Sequence, residues 1–144
     1  FIGGDLDFTK YQTELRGYLR KGEFWKSPIL AWRLRGEFGE NLEKYEYEKF
    51  YIGGQETLRG YKQNAFSADK ALLGSLELRF PTSKELTVIL FVDSGLWENS
   101  EGQNFKTGWG FGLRIRTILG LVRLDYGIGE GGGGEFYFGL GEGF

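Results

Sequence analysis

The sequence predicts an all-β chain, folded as the wall of an antiparallel up-and-down transmembrane β-barrel. Three observations predict it. The dominant spacing of apolar residues is two rather than 3.6. The alternating stretches are long, roughly 9–13 residues, as a tilted strand needs to cross a bilayer. Composition agrees: 25 Gly and 17% aromatic residues stand beside only 2 Pro in 144 residues. That mixture suits many strands rather than a disordered or collagen-like chain. The mean hydropathy of -0.35 resembles that of a water-soluble protein, but in a barrel wall only alternate residues meet lipid.

The elements follow in order. In residues 5–19, Tyr11, Leu15 and Leu19 oppose Lys10, Gln12, Glu14 and Arg16. In Ile29–Phe38, Leu30, Trp32, Leu34 and Phe38 oppose Arg33, Arg35 and Glu37. In Leu72–Phe80, Leu76, Leu78 and Phe80 oppose Glu77 and Arg79. Residues 86–97 are apolar on both faces until Asp93. From Phe105 to Thr117, the set Phe105, Trp109, Phe111, Leu113 and Ile115 faces Gly108, Gly110, Gly112, Arg114 and Arg116. From Leu121 to Gly129, Val122, Leu124, Tyr126 and Ile128 face Arg123, Asp125, Gly127 and Gly129. The last stretch, 135–144, sets Phe136, Phe138, Leu140 and Phe144 against Tyr137, Gly139, Gly141 and Gly143. A helix would scatter these sets around its circumference, whereas a strand separates them. About seven strands result.

Connections alternate in length. Pro81–Glu85 and Ile118–Gly120 read as short turns, with a middling one between Leu19 and Ser27. At the other end lie a longer connection at Glu98–Asn104, a tight one at Glu130–Gly134 and the long stretch Glu40–Asp69. This matches the short turns and longer outer loops of membrane barrels. The alternation alone also fits a soluble lipocalin-like barrel with its polar face outward. A face of glycine and arginine better suits a packed or watery lumen.

Several classes are excluded. The net charge is -2 and no basic patch stands out, so no nucleic-acid partner is expected. Cys and His are both absent, which removes disulfides, the usual zinc sites and Ser-His-Asp or Cys-His triads. Neither metal, cofactor nor enzymatic activity is expected. Gly127-Ile-Gly129-Glu-Gly131-Gly132 satisfies GxGxxG, but no helix follows, so a flexible hairpin is the better account. Glu77 and Asp93 can be drawn as a glycosidase pair; without a cleft or sugar platform, lumenal ion pairs are the simpler reading. The Lys- and Glu-dense residues 40–49 read as a solvated loop. Met is absent and the chain opens at Phe1, so it is expected to be a piece of a longer product.

The ending Phe136-Tyr-Phe-Gly-Leu-Gly-Glu-Gly-Phe144 resembles the β-signal of outer-membrane proteins, which assembly machinery reads by strand pairing. Glu142 departs from that pattern by placing a charge on the apolar face. Residues 51–61, Tyr-Ile-Gly-Gly-Gln-Glu-Thr-Leu-Arg-Gly-Tyr, resemble the (V/L)RG(F/Y) loop of the BamA, TamA and Toc75-type barrels. Gly74-Ser-Leu-Glu77-Leu-Arg79-Phe-Pro81, Phe91-Val-Asp93-Ser-Gly95, Gly110-Phe-Gly-Leu-Arg114 and Leu124-Asp125-Tyr126-Gly127 resemble later strands of that family, in order. The resemblance implies that the loop folds into the lumen and that Arg59 of Leu58-Arg59-Gly60-Tyr61 pairs with Glu77 and Asp93, beside Arg79. On the residues alone, a solvated loop cation is the simpler account of Arg59. Yet Asp93, the first charge in an apolar strand, needs a partner or water, and a guanidinium is a sensible one. Gly60 would let the loop backbone turn or approach the wall. The role would be structural or conformational.

The resemblance therefore implies one barrel domain over residues 1–144, the C-terminal half of a sixteen-stranded barrel, with an inward-folding loop at about 40–69. A small barrel remains open as an alternative, closed by an eighth strand from Phe1–Asp7 or residues 43–52, or completed by a second copy. Some closure is required, because an open edge cannot face lipid. The implied function is insertion of β-barrel proteins into a bacterial-type outer membrane, through a weak seam where a client strand pairs. Gly139, Gly141 and Gly143 would weaken the last strand there. The alternative is a small passive barrel or structural anchor. Its lumen charges (Arg33, Arg35, Glu37, Glu77, Arg79, Asp93, Arg114, Arg116, Arg123 and Asp125) would then neutralise one another. Expected partners are outer-membrane lipid, client barrels, and a second copy or missing half.

Overall fold

Each long alternating stretch forms a strand over its described residues, except that the last, expected over 135–144, ends at Leu140, with Gly141 outside it at a φ of +87°. The computed structural model describes residues 9–22, 26–40, 49–99 and 101–141. The elements are β1 (Thr9–Arg20), β2 (Ile29–Glu40), β3 (Phe50–Ile52), β4 (Phe66–Ala68), β5 (Lys70–Pro81), β6 (Leu86–Asn99), β7 (Gly102–Thr117), β8 (Gly120–Gly129) and β9 (Gly134–Leu140). Seven of them form one sheet in the order β1-β2-β5-β6-β7-β8-β9, a meander whose neighbours all pair antiparallel. Strands β3 and β4 form a separate hairpin within the excursion between β2 and β5.

The register lines up the period-two pattern across the wall. Leu19, Leu30, Leu78, Leu90, Phe111, Tyr126 and Phe136 are successive pairing partners and form one outward row. One residue along, Tyr18, Ala31, Glu77, Phe91, Gly110, Gly127 and Glu135 form an inward row. The outward residues are exposed: Leu90 is 51% and Phe138 63% accessible, whereas Glu77, Asp93 and Asp125 are at most 1%. This inverts the arrangement of a water-soluble domain, which hides apolar side chains and exposes ions. The stable surroundings for the outer face are hydrocarbon. Leu90→Arg, mid-strand on that face, is therefore expected to destabilise the membrane-embedded protein by roughly 2–4 kcal/mol. Urea titration in lipid vesicles would measure it; no change would place the outer face in water.

The short turns have local causes. After β5, Ser83 Oγ accepts the Leu86 and Glu85 amides at 3.1 and 3.3 Å. After β7, Thr117 Oγ1 donates to the Gly120 carbonyl at 2.8 Å. The connection expected at Glu98–Asn104 is shorter than the sequence suggested. Strand β6 runs to Asn99, β7 begins at Gly102, and the two residues pair. Gly102 takes a φ of +122°, and Asn99 Oδ1 accepts the Glu101 amide at 2.9 Å. Asn and Gly are the residues a tight turn prefers.

The sheet does not close on itself: among the described residues, β1 and β9 each have a single neighbour. Of the segments considered for an eighth strand, Phe1–Asp7 and residues 43–48 lie outside the described residues. Phe50–Ile52 pairs with β4 rather than with the wall, which corrects that assignment. Phe144 lies outside the described residues as well.

The apolar core lies inside the wall. Ala71, Leu73 and Trp97 form an inward apolar patch on β5 and β6, and Ile52, Leu58 and Ala68 of the excursion cover it. Phe66 stacks on Trp97 with ring centroids 4.8 Å apart, and Tyr61 packs edge-on to Phe66 at 5.5 Å. Burial of that patch provides the hydrophobic gain that orders residues 50–68 of the connection.

Candidate functional site

Beyond the apolar patch, the excursion meets the charged part of the inner face. Leu58 is fully buried in the core cluster, which delivers the next residue, Arg59, to the middle of the wall. Its guanidinium forks onto Asp93, with Nε to Oδ2 at 2.7 Å and Nη2 to Oδ1 at 2.8 Å. Nη1 donates to Glu77 Oε2 at 2.6 Å, and the Arg59 backbone amide donates to Asp93 Oδ2 at 3.0 Å. The guanidinium carbon lies 3.7 Å from the centre of the Phe91 ring, a cation–π contact in a desolvated place. Burial disfavours the Arg59 charge, but Asp93, Glu77 and Asp125 outweigh it and push its pKa upward. Arg59 is thus held as a cation.

Neighbouring charges complete a compensated set. Arg79 Nε donates to Glu77 Oε1 at 2.9 Å, and Arg79 also lies over the Tyr18 ring at 5.5 Å. Arg114 donates to Asp125 at 2.7 Å and lies 3.8 Å from Glu77. Gln55 of the excursion donates to the other Asp125 oxygen at 3.0 Å. Arg59, Arg79 and Arg114 thereby face Glu77, Asp93 and Asp125 in equal number, as buried ions require. A second contact joins Arg123 to Glu56 at 2.7 Å, while Arg33 donates to the Glu56 carbonyl at 2.9 Å. Asp125→Asn is expected to cost about 1–3 kcal/mol, the usual range for an unmatched buried partner. Thermal unfolding in detergent would show it, with Arg114 as the group left short of charge.

Glycines make room for this approach. A Cβ at Gly108 would lie 1.8 Å from the Arg59 carbonyl oxygen, and one at Gly127 would lie 2.6 Å from the Gly60 nitrogen. Gly60 itself has a φ of +107°, and a Cβ there would meet the Ile128 backbone at 2.8 Å. Both its conformation and its clearance require glycine. Tyr61 then reaches back toward the far end of the wall. Its hydroxyl donates to the Thr107 carbonyl and accepts the Glu130 amide, each at 2.9 Å.

The structure thus brings Leu58, Arg59, Gly60 and Tyr61 together with Glu77, Arg79 and Asp93. Phe136, Phe138 and Leu140 point outward from β9, away from this cluster. From sequence, Arg114 and Asp125 are legible only as general lumen charges and Gln55 only as part of the loop motif, and Phe91 and Tyr137 are not singled out as site residues at all. Phe91 shares the inward parity of Asp93, so its placement was readable from spacing. Tyr137 accepts the Gly60 amide at 2.9 Å and donates to the Tyr61 carbonyl. The only hint of it in sequence is one hydroxyl among the glycines on the inner face of the last strand.

A lipid-exposed meander with an ion-paired inner face and a connection clasped onto it defines a β-barrel membrane protein with a lumen-docked loop. The Omp85 superfamily domain model matches residues 1–144, and the chain belongs to that superfamily. Among curated proteins it is 32% identical to outer envelope protein 80, chloroplastic, of Arabidopsis thaliana, over 66% of this chain and 15% of that protein. It is 29% identical to the outer membrane protein assembly factor BamA of Nitratidesulfovibrio vulgaris, over 99% of this chain and 21% of that one. Protein TOC75-3, chloroplastic, of Arabidopsis thaliana is 28% identical over 94% of this chain and 18% of its own length. The chain therefore spans less than a third of each of these relatives.

Proposed function

We propose that this chain is the seam-bearing part of an outer-membrane barrel that inserts β-barrel proteins into the membrane, without covalent chemistry of its own. The observation that carries this reading is the β9 edge. At 7 residues β9 is the shortest strand of the wall, against 14 for β6 and 16 for β7. Among the described residues it pairs on one side only. Unpaired strand groups are costly in lipid, so this edge calls for another strand. Its outward Phe136, Phe138 and Leu140 are positioned to stay in hydrocarbon while partners exchange. A weakly held edge is where a client's terminal strand can add by β-augmentation. The name of the BamA relative, an assembly factor, supports the same activity, and its bacterial source supports a bacterial-type outer membrane. The partners in this reading are outer-membrane lipid, client barrels and the remainder of the barrel.

The test is cross-linking in vesicles carrying the full-length protein. Leu140→Cys is expected to cross-link to a cysteine in the terminal strand of a folding client, and client folding is expected to accelerate over empty vesicles. No cross-link and an unchanged folding rate would refute the reading.

One observation favours a second reading, a passive barrel or structural anchor. The inner charges cancel pairwise around Arg59 and form a salt-bridged plug without any client. Unaccelerated client folding by a well-folded protein would favour it.

A further inference from the structure

We infer that Tyr137 couples the docked loop to the last strand, so that release of the Arg59 clasp also loosens β9. The geometry is specific. The Tyr137 hydroxyl accepts the Gly60 amide at 2.9 Å and donates to the Tyr61 carbonyl, gripping the loop backbone on both sides of one peptide unit. Among the described residues it is the only β9 side chain hydrogen-bonded to the excursion. On the wall, Tyr137 pairs in register with Asp125, which holds Gln55 and lies 3.7 Å from Arg59 Nη1. The residue before Gly60 is Arg59, anchored to β5 and β6. One short segment therefore links the strands that carry Glu77 and Asp93 to the strand at the open edge.

That placement has an energetic consequence. Strand β9 is short, and on its inner face Tyr137 is followed by Gly139, which contributes no side chain to packing. The loop supplies a second attachment besides the β8 ladder. With the loop docked, both hydrogen bonds act on β9; with it undocked, only the ladder remains. Tyr137 is a positioning residue in this scheme, and two elements in contact through one group should respond as a unit. The inference rests on the seam reading only for its consequence, a gated client edge. Its geometry and its test involve no client.

The experiment is hydrogen exchange by mass spectrometry on the full chain in lipid nanodiscs, following the peptide over Phe136–Leu140, with protease sensitivity of residues 53–69 alongside. Tyr137→Phe removes one hydroxyl and keeps the ring. It should speed β9 exchange by roughly three- to tenfold, the value of one or two net hydrogen bonds, and should increase loop cleavage. Arg59→Ala, which removes side-chain bonds to β5 and β6, should speed β9 exchange at least as much. The double variant should exchange no faster than Arg59→Ala alone. Arg59→Lys, which keeps the charge, should restore part of the protection and serves as the clasp variant if Arg59→Ala does not fold. Unchanged β9 exchange in the clasp variant would overturn the inference, as would strictly multiplicative effects in the double variant. Those results would leave the client cross-linking test untouched, and failure of client insertion would leave this coupling intact.

Discussion

Arg59→Ala is expected to release the loop from the wall and lower stability by roughly 3–5 kcal/mol, the range for removing one partner of a buried ion pair. The magnitude follows from what is left behind. The Glu77 and Asp93 side chains are about 2% and 1% accessible. Glu77 would keep Arg79 at 2.8 Å, but Asp93 would lose both guanidinium bonds, and the loop amide that also reaches it depends on the loop staying docked. The cation–π contact with Phe91 disappears at the same time. The strands themselves are expected to persist, because their ladders do not run through Arg59. The measurement is a heat-modifiability gel with a temperature ramp, beside limited proteolysis of residues 53–69. Arg59→Lys should fall between, since an ammonium keeps the charge and loses the fork. Unchanged cleavage and an unchanged midpoint in Arg59→Ala would mean that the ion pairs do not hold the loop.

Gly108→Val is expected to expel the loop as fully as Arg59→Ala, while every charged partner remains in place. The obstruction is backbone on both sides: the new Cβ would lie 1.8 Å from the Arg59 carbonyl oxygen and 3.0 Å from its carbon. Overpacking usually costs about 1–3 kcal/mol when side chains can shift. Here the clash sits on the residue that makes the ion pairs, so a loss of about 3 kcal/mol or more is expected. Gly74→Ala, on the outer face of β5, is the control for replacing a strand glycine, because a Cβ there would meet nothing within 4 Å. If Gly108→Val behaved like Gly74→Ala, the close approach of loop to wall would be wrong, whatever the charges do.

The wall was legible because lipid on one side and ions on the other impose a strict period of two. Trp109, Phe111 and Leu113 against Gly108, Gly110 and Gly112 could hardly be anything else. Parity alone put Glu77 and Arg79 on the inner face. The pattern fades where both faces meet polar surroundings. Glu98 and Gln103 are register partners in the β6–β7 hairpin, and their polarity made strand read as loop. Strands β3 and β4, at 3 residues each, are too short to carry a period. The partnership of Asp125 with Gln55 and the reach of Tyr137 to Gly60 depend on strand register and on the path of the excursion. Neither leaves a trace in local spacing. That Arg59 faces inward was suggested by resemblance, since on its residues alone a solvated cation is the simpler account.

The Arg-Gly-Tyr connection docks on the ion-paired inner face of a wall whose outer face meets lipid. A cysteine pair tests this docking, since these 144 residues contain no cysteine. Glu56→Cys and Arg123→Cys replace two side chains that touch at 2.7 Å, one on the loop and one on β8. In the folded, membrane-embedded protein, a short bifunctional thiol reagent should join them nearly completely, giving a gel shift that either single variant lacks. Absence of that product, with position 56 freely labelled by a membrane-impermeant maleimide, would place the loop outside the lumen, undocked from the inner face.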